Sequence, residues 1–240
     1  MTRTGSIHCP PCDCHYCPVH KSNLFRDLNE LELQKINQTK TCHAYKKKQI
    51  IHFQGHPSFG IYCIQSGWVK IYRTNNDGKQ YIVRLAGKND TLGLPTLFTK
   101  APYLWTAEAI EDTVACFLNR QVVLEILQNN SQTTFRLVKY LARRLNETEE
   151  ERAEMAQHSV RERMARLLVM QSEKYGTPET HGTFIKLHLS REEMAEMIGT
   201  AMETTIRFLK EFREDKMIAL DGKNITVLDH QRLMETARMV

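Results

Sequence analysis

The stretch LSREEMAEMIGTAMETTIRFLKEF, residues 189–212, decides the fold of the C-terminal part of the chain. Ser190 stands three residues before Glu193, which is the spacing of a capping box at the start of a helix. That helix should end at Gly199-Thr200, where the chain turns, and residues 202–212 have the spacing of a second helix. Two helices joined by a short turn that contains glycine are typical of a helix-turn-helix.

The residues that follow predict a β-hairpin. Residues 217–220 and 224–228 are short β-type runs, and Asp221-Gly222 between them is a tight-turn signal. A helix-turn-helix followed by a hairpin has the geometry of a winged helix, whose second helix enters the major groove of DNA.

Glu203 and Arg207 lie one turn apart on that second helix, so both side chains can enter a major groove together. Arginine can make two hydrogen bonds to guanine, and glutamate can accept one from the cytosine amino group. The alternative, a surface ion pair, is worth only a few tenths of a kcal/mol. We assign Ile206, Leu209 and Phe212 to the apolar side of the helix. The other candidate DNA contacts are Thr204, Lys210 and Ser190.

Residues 41–119 change to short β-type runs separated by turns, which predicts a β-barrel, roll or sandwich. Asn75–Gly78 is a hairpin signal inside this region. A short helix with an asparagine cap is expected before it, at Asn29–Asn37. The predicted strands are Gln49–Phe53, Gly60–Gln65, Trp68–Tyr72 and Gln80–Leu85.

A long helix is predicted at residues 132–157, with apolar side chains at steps of three and four that approach a heptad seam. The stripe is too narrow, and the helix too long, for a helix that merely covers a small domain. We therefore favour an intersubunit coiled coil over an intradomain helix. The predicted dimerisation residues are Phe135, Val138, Leu141, Leu145 and Met155.

The composition is that of a globular protein, with 41% hydrophobic and 25% charged residues among 240. A net charge of +5 weakly favours a polyanionic partner. The chain has no apolar run long enough to span a bilayer and no apolar core of a secretory signal at its start. We expect a cytoplasmic protein without a membrane partner.

Four of the seven cysteines lie within nine residues of one another, at Cys9, Cys12, Cys14 and Cys17. An odd number of cysteines in a cytoplasmic protein argues against a structural disulfide framework, so metal or redox chemistry is the better explanation. The four could bind Zn²⁺ by themselves, or they could form a reversible dithiol–disulfide switch. A redox enzyme or metal carrier is a more distant alternative, because the chain has no phosphate-binding loop and no acid–base set.

Residues 189–227 resemble the DNA-binding segment of the CRP/FNR family of transcription regulators, including its Glu-x-x-x-Arg pair, which begins at Glu203. Residues 60–72 resemble the family's sensory β-roll, and the helix at 132–157 resembles its dimerisation helix. The chain departs from the FNR branch at Ile206, where that branch has serine. Isoleucine can touch a thymine methyl group but cannot donate a hydrogen bond.

The resemblance implies an α+β fold and a DNA-binding regulator without enzymatic activity. It implies a homodimer that binds double-stranded DNA at a near-palindromic operator and that contacts RNA polymerase. The implied segments are a cysteine-rich arm (1–20), a cupin-like, cyclic-nucleotide-binding-like β-roll sensor (21–128), a dimerisation helix (129–157) and a winged helix-turn-helix domain (158–240).

The cyclic-nucleotide branch of this family carries a Gly-Glu segment for the ribose and an Arg-Ser pair for the phosphate. The matching residues here, 93–98 and 103–106, contain neither the acid nor the arginine. A buried phosphate without a cation would be costly, so we expect no cyclic nucleotide.

In the FNR branch, three arm cysteines and one on the roll hold an oxygen-labile [4Fe–4S] cluster, and thiolates are suitable ligands for one. The ligands that this resemblance implies are Cys9, Cys12, Cys17 and Cys116, with Cys14 as a substitute. Cys116 also fits a plain core position, Cys63 is expected to be core packing, and no partner is evident for Cys42. Solvated side chains are expected for His8, His15 and His20.

Overall fold

The computed structural model describes residues 13–17, 24–185 and 189–239. The chain divides into two compact units, Met1–Leu145 and Asn146–Val240. Each helix in the described ranges is too short or too polar to cross a membrane. The predicted α+β class is confirmed.

The first unit contains a β-roll of two antiparallel four-stranded sheets. The first sheet has the strand order β1-β8-β3-β6, and the second has the order β2-β7-β4-β5. The four strands predicted at 49–85 are confirmed, and the predicted turn at Asn75–Gly78 joins β4 to β5. The strands are β1 Thr41–Tyr45, β2 Ile50–His52, β3 Gly60–Ser66, β4 Val69–Thr74, β5 Gln80–Ala86, β6 Thr91–Leu92, β7 Thr106–Ala109 and β8 Thr113–Asn119.

Helices cover one face of the first sheet. The short predicted helix is confirmed as α1, and Asn29 caps it in a capping box with Glu32. The long predicted helix is confirmed as α4, whereas α2 and α3 were not predicted. The four helices are α1 Glu30–Thr39, α2 Leu94–Thr99, α3 Arg120–Asn129 and α4 Ser131–Gln157.

Two apolar clusters hold this unit together, because alternate residues of a strand point to opposite faces of its sheet. Ile64 of β3 points between the sheets, where it packs with Ile71 of β4. The neighbouring residues Ile61 and Cys63 point to the other face, where they belong to a second cluster packed against the helices, which we call the helix-side cluster. The helical side of this second cluster includes Leu33, Ile36, Leu94, Leu97, Val123, Ile126 and Leu137.

The second unit is a small α+β domain built on a four-stranded sheet of order β11-β12-β10-β9. Residues 186–188 of this domain lie outside the described ranges. Strand β9 and helix α8 were not predicted. The elements are α5 Val160–Tyr175, β9 Thr177–Glu179, β10 Gly182–Ile185, α6 Arg191–Ile198, α7 Met202–Glu214, β11 Ile218–Asp221, β12 Asn224–Val227 and α8 His230–Thr236.

Candidate DNA interface and cysteine site

The helix-turn-helix is formed by α6 and α7. Ser190 Oγ accepts a hydrogen bond from the backbone N–H of Glu193, whose carboxylate accepts one from the Ser190 N–H, so the predicted capping box is confirmed. Helix α6 ends at Ile198, and Gly199, which caps it, has a φ of 67°. This left-handed conformation suits glycine, and it turns the chain into α7.

Helix α7 has one buried and one exposed face. Leu209 and Phe212 are buried as predicted, together with Thr205. Ile206 was assigned to the apolar side, and that assignment is wrong, since 48% of this residue is exposed. The reason is the helical period, because positions 205, 209 and 212 share a face that excludes 206. The exposed side chains of α7 include Glu203, Ile206, Arg207 and Lys210.

The Arg207 side chain lies on this exposed face, with its guanidinium 5.1 Å from the centroid of the Phe208 ring. Among the described residues its ion pair is with Glu211, at 3.8 Å between Nε and Oε1, rather than with Glu203. An exposed pair of this kind contributes little to stability, so the guanidinium can leave it for a base at small cost.

The wing is the hairpin of β11 and β12, in the predicted position. Gly222 forms its tip with a φ of 55°. The Arg191 guanidinium of α6 donates to the carbonyl oxygens of Gly222 at 3.1 Å and Lys223 at 3.5 Å. These bonds fix the wing to the first helix of the helix-turn-helix.

The described part of the arm, residues 13–17, lies against the roll. The Cys14 N–H donates to Asn37 Oδ1 at 2.9 Å, and the Lys40 ammonium donates to Cys14 Sγ at the same distance. Gln65 Nε2 on β3 donates to Cys17 Sγ at 3.4 Å. Cys14 and Cys17 are therefore held between α1 and the first sheet.

His15 is engaged at both ring nitrogens rather than solvated. Its Nδ1 is 2.6 Å from Asp13 Oδ1, and its Nε2 is 2.8 Å from Glu30 Oε1. These carboxylates raise the pKa of the imidazole, and the hydrogen bonds from His15 lower the pKa of Asp13 to about 2. His15 is thus an anchor of the arm. His8 and His20 lie outside the described residues.

Three cysteines lie side by side on adjacent strands of the first sheet. Cys116 on β8 is directly opposite Cys42 on β1 and directly opposite Cys63 on β3. Directly opposed residues of antiparallel strands point to the same face, so all three share the face that carries the helices and the arm. We call these three residues the cysteine row.

Cys42 and Cys116 of the row form a disulfide, with 4.2 Å between their Cα atoms. The sequence argued against a structural disulfide framework, and this bond corrects that expectation for Cys42 and Cys116. It also supplies the partner of Cys42 that the sequence did not reveal. The two residues are separated by 74 positions, so no spacing motif could have paired them. Only the register of β1 against β8 does so.

Cys63 is a free thiol at the other end of the row, and its predicted role in core packing is confirmed by its place in the helix-side cluster. Burial, with smaller contributions from the neighbouring Cys14 and Cys17, raises the pKa of Cys63 to about 12. Burial also raises the pKa of Cys14, against the opposing effect of the Lys40 ammonium. The described arm thiols thus lie beside the cysteine row.

Cys9 and Cys12 lie outside the described residues. Within the described ranges, no three His, Cys, Asp or Glu side chains are arranged to hold a metal ion.

A cavity of about 490 Å³ lies beside β1 in the roll, and its lining is mostly aromatic. His52, close by, stacks on Tyr103 with 4.0 Å between ring centroids, and burial lowers the pKa of His52 to about 4. The lining residues are Thr41, His43, Ala44, Tyr45, Gln49, Ile50, Pro57, Phe59, Tyr62, Tyr103 and Phe117.

The N-terminal half of α4 has two different apolar faces. Leu137 and Tyr140 pack against the helix-side cluster of the roll. The predicted dimerisation residues of this half are exposed, and Phe135 is the most exposed of them at 61%. The others in this half are Val138, Leu141 and Leu145, all exposed, whereas Met155 further along is half-buried.

Two family models match the chain. The cyclic nucleotide-binding domain model matches residues 42–130, and the Crp-like helix-turn-helix domain model matches residues 162–236. The first range covers the β-roll, and the second covers the winged helix. With the geometry of α6, α7 and the wing, these matches define a DNA-binding transcription regulator.

Curated relatives align with most of the chain. A CRP-like cAMP-activated global transcriptional regulator of Mycobacterium tuberculosis is 28% identical over 81% of this chain and 87% of its own length. The anaerobic regulatory protein of Bacillus subtilis is 27% identical over 90% of this chain and 89% of its own length. The transcriptional activator protein FnrL of Cereibacter sphaeroides is 27% identical over 93% and 91%. The chain belongs to the CRP/FNR family of transcription regulators.

Solved structures support the same fold. FixK2 from Bradyrhizobium japonicum has a TM-score of 0.74 at 22% identity, with 82% of this chain and 97% of that chain covered. A CooA mutant from Carboxydothermus hydrogenoformans has a TM-score of 0.73 at 19% identity, with 90% and 95% covered.

Proposed function

We propose that this regulator binds its operator in response to oxygen or redox state through a [4Fe–4S] cluster. The proposed ligands are Cys9, Cys12, Cys17 and Cys116, with Cys14 as a substitute for one arm ligand. Two relatives, an anaerobic regulatory protein and FnrL, support this branch of the family by their names and similarity. When bound, such a cluster supplies an oxygen-labile group.

The observation that carries the proposal is the contact of the arm with the roll. Cys14 and Cys17 lie beside the cysteine row, held by Lys40 and Gln65. Thiolates are the soft donors that Fe–S clusters require, so this donor set fits the group. Cys116 can serve as a cluster ligand only when its disulfide with Cys42 is reduced, because a disulfide sulfur is not a thiolate ligand. The arm would be fixed to the roll by ligation, and its order would depend on the metal.

We also propose that α4 is the dimerisation helix. Its exposed apolar stripe is unpartnered in one protomer, and a second copy of the stripe would cover it at heptad spacing. Because α4 begins directly beside the roll, a change in arm binding could alter helix pairing. The segment limits proposed for the chain remain 1–20, 21–128, 129–157 and 158–240.

The dimer would present two copies of α7 to successive major grooves of a near-palindromic operator. In this proposal Arg207 reads guanine, Glu203 reads cytosine, and Thr204 and Lys210 add contacts. Ser190, at the N-terminus of α6, would lie near a phosphate. RNA polymerase is the expected protein partner.

We propose further that cyclic AMP is not the signal, although one relative is named as cAMP-activated. The segments that match the ribose- and phosphate-binding residues of the cyclic-nucleotide branch, residues 93–98 and 103–106, contain neither an arginine nor an acidic residue. A phosphate there would lack a cation. Isothermal calorimetry with cyclic AMP should show no saturable heat, and a saturable site would overturn this proposal.

Anaerobic purification, with iron, zinc and acid-labile sulfide analysis, tests the proposed sensor. We expect a brown protein with iron and sulfide in equal amounts, and retention on DNA-cellulose that falls on exposure to air. Zinc without sulfide would favour an arm-only zinc site. Absence of both metals, with a disulfide among the arm cysteines after air exposure, would favour a thiol switch.

A further inference from the structure

We propose that the Cys42–Cys116 disulfide is a redox-active bond that withholds Cys116 from metal ligation until a dithiol reductant opens it. The consequence for metal binding rests on the proposed function, whereas the bond and its reactivity do not. Cys42 would then be a regulatory residue of the sensor, although its sequence position gives no sign of this.

The two sulfurs of the bond differ in access. Cys42 lies on β1, at the edge of the first sheet, and it is half-buried. Cys116 lies on β8, between two other strands, and it is buried. A reductant in solution therefore reaches the Cys42 sulfur first, and the Cys116 sulfur becomes the leaving group.

The chemistry balances as a two-electron exchange. One thiolate of the dithiol attacks Cys42 Sγ, the S–S bond breaks, and Cys116 leaves as a thiolate. The second thiol of the reductant then displaces Cys42 from the mixed disulfide, so the reductant leaves as its own disulfide. The chain gains two electrons and two protons, and the freed Cys116 thiolate has the form that a metal binds.

Cys63 provides an internal comparison, because it faces Cys116 from the other side of the row. Its sulfur is enclosed by the helix-side cluster, and Thr91 Oγ1 is 3.9 Å away. A thiol enclosed in this way is poorly reached by reductants and oxidants. The geometry therefore selects Cys42, and not Cys63, as the partner that releases Cys116.

Cys116 cannot be a disulfide sulfur and a thiolate ligand at the same time. In the oxidised chain the arm cysteines would lack their fourth ligand on the roll, and cluster assembly would stall. In the reduced chain the same site would load. The bond would thus make cluster assembly depend on the dithiol state of the cell before oxygen acts on the cluster itself.

The test compares the full-length protein with Cys42→Ser and with the matched control Cys63→Ala. Metal-free protein is equilibrated without oxygen in either oxidised glutathione or dithiothreitol and is then desalted. One portion is alkylated and its peptides are mapped by mass spectrometry. The other portion receives ferrous iron and sulfide, and the rise in absorbance near the visible cluster band is followed.

We expect a linked Cys42–Cys116 peptide in the glutathione samples of the parent and of Cys63→Ala, and its loss in dithiothreitol. Iron and sulfide uptake should be at background for those two oxidised proteins and complete after reduction. Cys42→Ser cannot form the bond, so after the glutathione treatment its uptake should exceed that of the two bonded proteins, and any remaining deficit should match the arm thiols that the peptide map shows to be oxidised.

Failure to find the linked peptide at any glutathione ratio would overturn the inference, as would full uptake by the disulfide-bonded parent. If the bond forms and opens but no sample, oxidised or reduced, takes up iron, then the proposed cluster is wrong, and so is the proposed control of its assembly by the disulfide. The peptide map distinguishes this outcome from the absence of the Cys42–Cys116 bond, because it reports the bond independently of iron uptake.

Discussion

Helix α7 and the cysteine row are the two chemically distinctive regions of this chain, and they are specified in different ways. On α7, Glu203 and Arg207 are four residues apart, so the helical period alone places them together. In the cysteine row, Cys42 and Cys116 are 74 residues apart and meet only through strand pairing. The Glu203–Arg207 site follows from the spacing of nearby residues, whereas the pairing of Cys42 with Cys116 depends on the folding of the whole first unit.

This difference predicts different responses to mutation. A change on α7 should act on DNA binding and leave the first unit unaffected. A change in the cysteine row should alter both the stability of the roll and the chemistry of the arm, because the row joins strands distant in sequence. The following experiments compare the two regions, from the largest expected effect to the smallest.

Replacing a proposed cluster ligand should have an all-or-none effect. Each single serine variant of Cys9, Cys12, Cys17 and Cys116 should lose the brown chromophore and signal-dependent DNA retention, since serine is a poor ligand for iron in such a cluster. Visible absorption of anaerobically purified protein measures the effect.

Cys42→Ser and Cys63→Ser are the controls for these variants, and both should keep the chromophore. Retention of full metal content in Cys116→Ser, together with its loss in the arm variants, would contradict a site that bridges arm and roll. An arm-only site, with zinc as its metal, would then be the better explanation.

Loss of the Cys42–Cys116 bond should lower the free energy of unfolding of the metal-free first unit by up to about 4 kcal/mol, from the entropy of closing a loop of this length. Urea unfolding of the parent with and without dithiothreitol measures the difference. Cys42→Ser should unfold alike in both buffers. If the urea midpoint of the parent is the same with and without dithiothreitol, the bond does not stabilise the roll.

Val138→Glu should dissociate the dimer, because it places one carboxylate from each protomer in the proposed α4 seam. The two buried charges should cost about 3 kcal/mol per dimer, which sedimentation equilibrium can detect. Gln132→Glu adds the same charge to an exposed position about 120° around the helix. Equal weakening by both variants would show that the stripe is not the interface.

Arg207→Ala should weaken specific operator binding by about 1–3 kcal/mol and relax the preference at one guanine of each half-site. The parent's site, selected from random duplexes, provides the probe for a binding titration. Arg213→Ala removes the same charge from an exposed position on another side of α7. If Arg207→Ala folds and binds like the parent, the assignment of α7 as the recognition helix is wrong.

The smallest effect is expected at the α6 cap, where Ser190→Ala should lower the free energy of unfolding of the second unit by about 1 kcal/mol. Ser190→Asp preserves the cap and should keep that stability. Comparing Ser190→Ala with Ser190→Asp also separates the role of Ser190 as a helix cap from its proposed role as a phosphate contact. If the hydroxyl also contacts a phosphate, Ser190→Asp should weaken DNA binding through charge repulsion despite its intact cap.

Prediction from the sequence succeeded where the signal was local. The capping box at Ser190, the hairpin at Asn75–Gly78 and the long helix at 132–157 each follow from residues within a few positions of one another. One local prediction was nevertheless wrong. Ile206 was placed on the wrong face because an apolar residue was taken for a buried one.

The sequence by itself determined the succession of a β-rich region, a long helix and a winged helix-turn-helix, and the position of the Glu203–Arg207 pair, because helix periodicity and turn chemistry act over short distances. Only the tertiary structure decided that Cys42 bonds to Cys116, that Cys63 lies opposite, and that the described arm thiols pack beside them. Strand register and the docking of an arm without periodicity depend on the packing of the whole unit, and no local pattern encodes them.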